Sequence, residues 1–110
     1  MITEITSLKR YEEIKSSEES ALFYFSHDAC NVCKVLKPKV AELLEESFPK
    51  ITMHYINTVK TPDIAAQQSI LAVPTILVFF DGKEYIRKSR NIGLQELAND
   101  IERPYNMMFE

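Results

Sequence analysis

Two unbroken apolar runs, "ALFYFS" at 21–26 and "TILVFF" at 75–80, constrain this chain more than any other feature. A strand with one wet face alternates apolar and polar residues, so runs like these belong to strands covered on both faces. The sheet they build must lie between layers of helix. The flanking segments supply those layers. Ser7 is placed to cap a helix reaching about Lys15, with Leu8, Tyr11 and Ile14 three apart. A longer helical pattern covers about Asn31 to Phe48, where Val32, Val35, Leu36, Val40, Leu43, Leu44 and Phe48 give an apolar face. Pro38 lies inside it and should kink it, because proline lacks a backbone donor and crowds the preceding turn.

The remaining segments fit the same scheme. Residues 2–5 are β-compatible, and "ITMHYINT" (51–58) reads as a strand. Thr61-Pro62 opens a shorter helix to about Ser69, with proline at the first helical position. Asp81-Gly82 is a hairpin signal between 75–80 and the returning strand "KEYIRKSR" (83–90). A last helix is expected from Gly93 or Leu94 to Glu102, stopped by Pro104, which leaves 104–110 as a C-terminal tail. The order is β-α-β-α-β-α-β-β-α. It predicts an α/β fold with a mixed central sheet of about five strands flanked by about four helices. Strand–helix alternation implies parallel strands with right-handed crossovers, and the hairpin adds an antiparallel edge.

The length of 110 residues fits one domain, 1–110. A net charge of −3 with no basic stripe gives nucleic-acid binding no electrostatic support. The first fifteen residues show no secretory h-region, and no apolar run is long enough to span a membrane. The cytosol is the expected location, and a monomer the expected state; thiols there are kept reduced. Two cysteines in such a chain are not a structural framework; they point to metal or redox chemistry, or to neither.

Both cysteines lie in "SHDACNVCKVLKP" (26–38), as Cys30-Asn31-Val32-Cys33. Cys30 falls between a strand end and a helix start. Free N–H groups and the positive end of the helix dipole there stabilise an anion, so Cys30 should have a lowered pKa. Cys33 is one turn on, within disulfide reach and more buried. Cys30 would attack a target disulfide, and Cys33 would then resolve the mixed disulfide. Lys34 and Lys37 add positive potential. Zinc binding by the two cysteines with His27 and His54 remains open on the residues alone, as do two inert core thiols.

With the motif in this context, the chain resembles the thioredoxin family over roughly residues 2–102. Phe25, Cys30-x-x-Cys33-Lys34 and Pro38 match its active-site strand and helix, and "AVPTILVFFDGKE" (72–84) matches its second signature. The resemblance implies a thioredoxin fold and a thiol–disulfide oxidoreductase acting on protein disulfides, with no bound cofactor and no metal. It makes Cys30 the nucleophile and Cys33 the resolving cysteine. It makes Pro74 a cis-proline facing them, with Val73, Pro74 and Thr75 as the substrate-binding loop and the Val73 backbone pairing with an extended substrate. The implied partners are disulfide-containing proteins and an electron donor, either a reductase or a low-molecular-weight thiol. Two other functions stay open. One is a thioredoxin-fold binding or redox-sensing protein with little turnover. The other is a reductase of mixed disulfides with small thiols that uses Cys30 alone.

Departures from the family pattern bear on tuning. Ala29 stands where the family has tryptophan, and Asn31-Val32 where it has Gly-Pro; the chain has no tryptophan. A less reducing pair is expected. Tyr24 replaces a buried aspartate and Tyr55 its lysine neighbour. A tyrosine is a poor base at pH 7, so activation of Cys33 should be slower. Arg90 takes the place of a glycine bordering the substrate groove, unless a shift toward Gly93 restores it. There it would narrow the groove and favour acidic or small thiol substrates; by itself it reads as a solvated arginine. His27 would tune the thiolate as a cation, or is simply a loop histidine. His54 is expected to be a satisfied sheet residue, and Glu42, Glu45 and Glu46 the solvated face of their helix. Met107, Met108 and Phe109 are expected in a packed or frayed tail.

Overall fold

The computed structural model describes residues 2–109. The elements are β1 (Ile2–Glu4), α1 (Leu8–Ser17), β2 (Ser20–Ser26), α2 (Asn31–Ser47), β3 (Thr52–Asn57), α3 (Pro62–Gln67), β4 (Thr75–Phe80), β5 (Lys83–Ser89) and α4 (Leu94–Phe109). The five strands form one sheet in the order β1-β3-β2-β4-β5. Every residue of β2 and of β4 is buried, as their unbroken apolar runs require.

Successive side chains of a strand point to opposite faces, and this divides the core in two. Leu22 and Tyr24 of β2, with Ile76, Val78 and Phe80 of β4, meet Cys33, Leu36, Val40 and Leu44 of α2 and Leu97 and Ile101 of α4. Ala21, Phe23 and Phe25 face the other way, onto Tyr11 and Ile14 of α1 and Ile64 of α3.

Strand direction differs in one place from the alternation rule. β1, β3 and β2 run parallel, but β4 runs antiparallel to β2 although a helix precedes it. The connection, residues 58–74, spends only the six residues Pro62–Gln67 in helix, and the chain re-enters the sheet from the end at which β3 left it. α3 is also shorter than expected, because Ser69 adopts a left-handed φ of 56° and its N–H closes onto the Ala66 carbonyl at 3.2 Å.

Local signals set other ends. The Ser7 side chain accepts from the Arg10 N–H at 3.1 Å and caps α1. Asp81 and Gly82 both have positive φ, 54° and 75°, as a two-residue I′ hairpin loop requires.

Two expectations are corrected. Val32 and Val35 do not belong to the buried face of α2; they are 63% and 59% exposed. The helix is phased instead by Cys33, Leu36, Val40 and Leu44. Pro104 does not stop the last helix, and 104–109 are not a tail: α4 runs through to Phe109. An interior proline costs about 3 kcal/mol. Tyr105, Met108 and Phe109 pack on the core beyond it, with Tyr105 edge-on to Phe48 at 5.1 Å and its hydroxyl accepting from the Lys50 N–H at 3.2 Å. Full burial of one such side chain contributes about 1.5–3 kcal/mol, so three partial burials offset the proline. Among the described residues no helix is long and apolar enough to cross a membrane.

Candidate active site

The two cysteines sit where β2 hands over to α2. Cys30 is the N-cap of α2, with φ −92° and ψ 100°, and its Sγ accepts from the Cys33 N–H at 3.2 Å. The two are joined in a disulfide with Cα atoms 5.3 Å apart. Cys33 is 1% exposed, while Cys30 remains partly open to solvent. Reduction would leave an outer sulfur at the positive end of a seventeen-residue helix, with a backbone donor already aimed at it, and an inner sulfur behind it. Those are conditions that favour a thiolate at Cys30.

His27 shapes the loop before Cys30. Its Nδ1 accepts from the Ala29 N–H at 3.2 Å, and its carbonyl accepts from the Cys30 N–H at 3.2 Å. The ring is thus bound to the loop backbone, and it borders a depression shared with Thr58 and the segment Ile70–Val73. Asn31 and Lys34 are exposed beside the pair.

The Val73–Pro74 peptide bond is cis. Thr75, the next residue, pairs with Phe25, so this loop and the end of β2 lie at one end of the sheet. Val73 and Cys30 pack against the same core cluster. The Thr75 hydroxyl donates to the Ala72 carbonyl at 2.6 Å, which leaves the Ser89 hydroxyl, 3.0 Å away, to donate to Thr75. Arg90 closes the loop from the other side: its N–H donates to the Pro74 carbonyl at 2.8 Å. Its φ is 66°, in the region that glycine tolerates best and where another residue loses roughly 1–2 kcal/mol. Arg90 thus occupies the border of the loop without any shift toward Gly93.

Beneath the pair lies Tyr24, fully buried, whose hydroxyl donates to the Cys33 carbonyl at 2.7 Å. Burial first, and the neighbouring Tyr55 second, push this hydroxyl well above the ordinary tyrosine value of 10. Tyr24 is therefore a fixed donor and no base. Tyr55 stands opposite it in the β2–β3 register, and the Lys37 ammonium lies 4.0 Å above the Tyr55 ring. The positions of Tyr24 and Tyr55 were legible in the sequence; the bond to Cys33 was not, because it depends on which face of β2 the helix covers.

The four side chains of the zinc alternative do not converge. His54 lies on the far face of the sheet, stacked on Phe23, with Nε2 2.9 Å from Glu18. Its Nδ1 has no partner, so it is only half satisfied. Among the described residues no three potential metal-ligating groups cluster.

The sequence model of the family described as Thioredoxin matches residues 2–103. The chain belongs to the thioredoxin family. It is 38% identical to thioredoxin of Mycoplasma genitalium over 102 residues, which covers 93% of this chain and 96% of that protein. It is 28% identical to the thioredoxin-like protein YdfQ of Bacillus subtilis over 106 residues, covering 96% and 94%. Among solved structures it is similar to oxidised thioredoxin O2 of Arabidopsis thaliana, with TM-score 0.82 at 19% identity, covering 94% of each chain. Thioredoxin family membership, together with a disulfide-forming Cys30–Cys33 pair, makes this protein a thiol–disulfide oxidoreductase. Thioredoxins act on disulfide substrates and are served by a reductase. In this chain two tyrosines, Tyr24 and Tyr55, pair across β2 and β3, and Tyr24 is tied to the backbone of Cys33.

Proposed function

We propose that this protein reduces disulfides in other proteins by a two-cysteine cycle, as one domain spanning 1–110. The supporting observation is the asymmetry of the pair: an outer Cys30 at a helix start and an inner Cys33 at 1% exposure. In the reduced protein the Cys30 thiolate attacks one sulfur of the target disulfide. The S–S bond breaks, and the other target sulfur leaves as a thiolate that takes up a proton. Cys33, having lost its proton, then attacks Cys30 Sγ in the mixed disulfide. The second target sulfur leaves and is protonated in turn, and Cys30–Cys33 forms. Two electrons have passed to the target. A reductase or a low-molecular-weight thiol returns them.

Val73, Pro74 and Thr75 form the loop that meets the substrate, with the partly exposed Val73 backbone as pairing edge. Asn31, Val32, Lys34 and His27 tune Cys30, and Tyr24 tunes Cys33. The protein works as a monomer in the cytoplasm, in the upkeep of cell redox homeostasis. Single-turnover reduction of a protein disulfide by the reduced protein tests the cycle. Cys30→Ser should abolish it, a loss of at least about a thousandfold. Cys33→Ser should accumulate a covalent mixed disulfide visible by mass spectrometry. Full multiple-turnover activity of Cys33→Ser on mixed disulfides with small thiols would instead favour chemistry by Cys30 alone. A wild type that turns over no disulfide with any reductant would leave a binding or sensing protein.

A further inference from the structure

Helix α2 carries its charges against its own dipole. Its N-terminal half holds Lys34, Lys37 and Lys39 and no acid, and its C-terminal half holds Glu42, Glu45 and Glu46 and no base. The N-terminus of a helix is its positive end, so both halves weaken the helix. No ion pair among the described residues engages Lys34, Lys39 or Arg90. Lys34, Lys39 and Arg90 are thus exposed cations with no salt-bridge partner among the described residues.

The same part of the helix is apolar where it meets water. Val32 and Val35, 63% and 59% exposed, line a shallow groove with Asn31, Leu36 and Lys39. Val32, Val35 and Lys39 lie at i, i+3 and i+7, on one helix face that starts beside the outer cysteine. Leu71, in the loop leading to Pro74, is 94% exposed. Exposed apolar side chains of this size beside the Lys39 cation, on a chain of net charge −3, mark a contact surface.

We infer that this surface, with Val32 and Val35 as its apolar floor, Lys39 as its cationic edge and Arg90 across the Pro74 loop, docks a disulfide-bearing protein segment that carries an apolar residue beside acidic side chains. The inference rests on the reading of Cys30 as nucleophile and names the substrate class for it. Charge complementarity selects the occupant. A second copy could present Glu42, Glu45 and Glu46, but its only disulfide is the same Cys30–Cys33 pair, and exchange between a reduced and an oxidised copy returns the same two species with no net reduction. Hence the occupant is a substrate.

The test oxidises the reduced protein in single turnover with two disulfide peptides of equal length and equal apolar residue, one with Asp/Glu flanks and one with Lys flanks. Uncharged 2-hydroxyethyl disulfide is the reference, and products are acid-quenched and separated. The acidic peptide should react roughly tenfold faster than the basic one at low salt, and the gap should shrink several-fold in 0.5 M salt (roughly a 4 Å Debye length). Lys39→Glu should remove most of that gap, and Val35→Ser should slow both peptides several-fold relative to the reference. Equal peptide rates at low salt, or a preference insensitive to salt and to Lys39→Glu, would overturn the inference. Concentration-dependent dimerisation abolished by Lys39→Glu, with no peptide preference, would assign the surface to a second copy and overturn it as well. Failure of the reference disulfide to oxidise the reduced protein would sink the redox reading itself, which tells the two failures apart.

Discussion

Tyr11 and Tyr24 are the same residue put to different uses on the two faces of one sheet. Both are fully buried, and both donate one hydrogen bond. Tyr11, on the α1/α3 face, donates to the Gln68 side chain at 2.8 Å and ties α1 to the end of α3. Tyr24, on the α2/α4 face, donates to the Cys33 carbonyl and so ties the sheet to the redox helix. Burial raises both hydroxyls above the usual value. The difference teaches that burial and satisfaction alone do not make a group functional; what matters is which atom receives the bond. The Tyr11 bond ends on the Gln68 side chain on the other face of the sheet, and the Tyr24 bond ends on Cys33 itself.

The harshest way to probe this comparison is truncation. Tyr11→Ala and Tyr24→Ala should each lower stability by about 3–5 kcal/mol in urea unfolding, since each empties a closed site. A much smaller loss at either would show that its face repacks and would break the symmetry of burial on which the comparison stands.

Alkaline pH should reveal both groups at once. Each hydroxyl has a folded pKa above its unfolded value of about 10, so the unfolded chain loses these protons first. The stability they contribute is complete below pH 10 and falls as pH rises from there toward the folded values. The slope should reach roughly 1.4 kcal/mol per pH unit for each tyrosine, about double that for the two together. Tyr11→Phe or Tyr24→Phe should each halve it in unfolding curves from pH 9 to 12. An unchanged slope would mean that the removed hydroxyl ionises freely in the folded protein.

The mildest substitution separates function from scaffold. Tyr24→Phe and Tyr11→Phe should each cost about 1–2 kcal/mol, the loss of one buried hydrogen bond. Only Tyr24→Phe should also change the lifetime of the mixed disulfide, by a few-fold in stopped-flow resolution, with the initial attack by Cys30 unaltered. Equal kinetics for the two variants would reduce Tyr24 to a packing residue.

Smaller still, Arg90→Gly should raise stability by about 1 kcal/mol or less, because the relief at φ 66° is partly cancelled by glycine's greater freedom when unfolded.

Much was readable without coordinates. The unbroken runs at 21–26 and 75–80 required a doubly covered sheet, and the pairing of Asp81 with Gly82 required a tight hairpin. The placement of Cys30 and Cys33 at a strand–helix junction pointed to thiolate chemistry, because a helix start stabilises an anion wherever the rest of the chain goes, while zinc and inert thiols stayed open on the residues alone. These are local facts, set by φ/ψ preference, periodicity and the helix dipole. Other features depend on what lies across a gap in sequence. Val35 looked like core by spacing, yet the helix turned it outward because Cys33, Leu36, Val40 and Leu44 met the sheet better. Pro104 looked like a stop, yet Phe48 and Lys50 gave Tyr105 a place to pack. The direction of β4 was set by its pairing with β2, antiparallel although a helix precedes it. Tyr24 looked like a lost aspartate, and the fold made it a tether on Cys33. Sequence by itself determined the order of the elements and the place of the cysteine pair at a helix start, since neighbours along the chain decide those. Tertiary structure alone decided which side chains face one another, because burial against a partner outweighs any local preference of one or two kcal/mol.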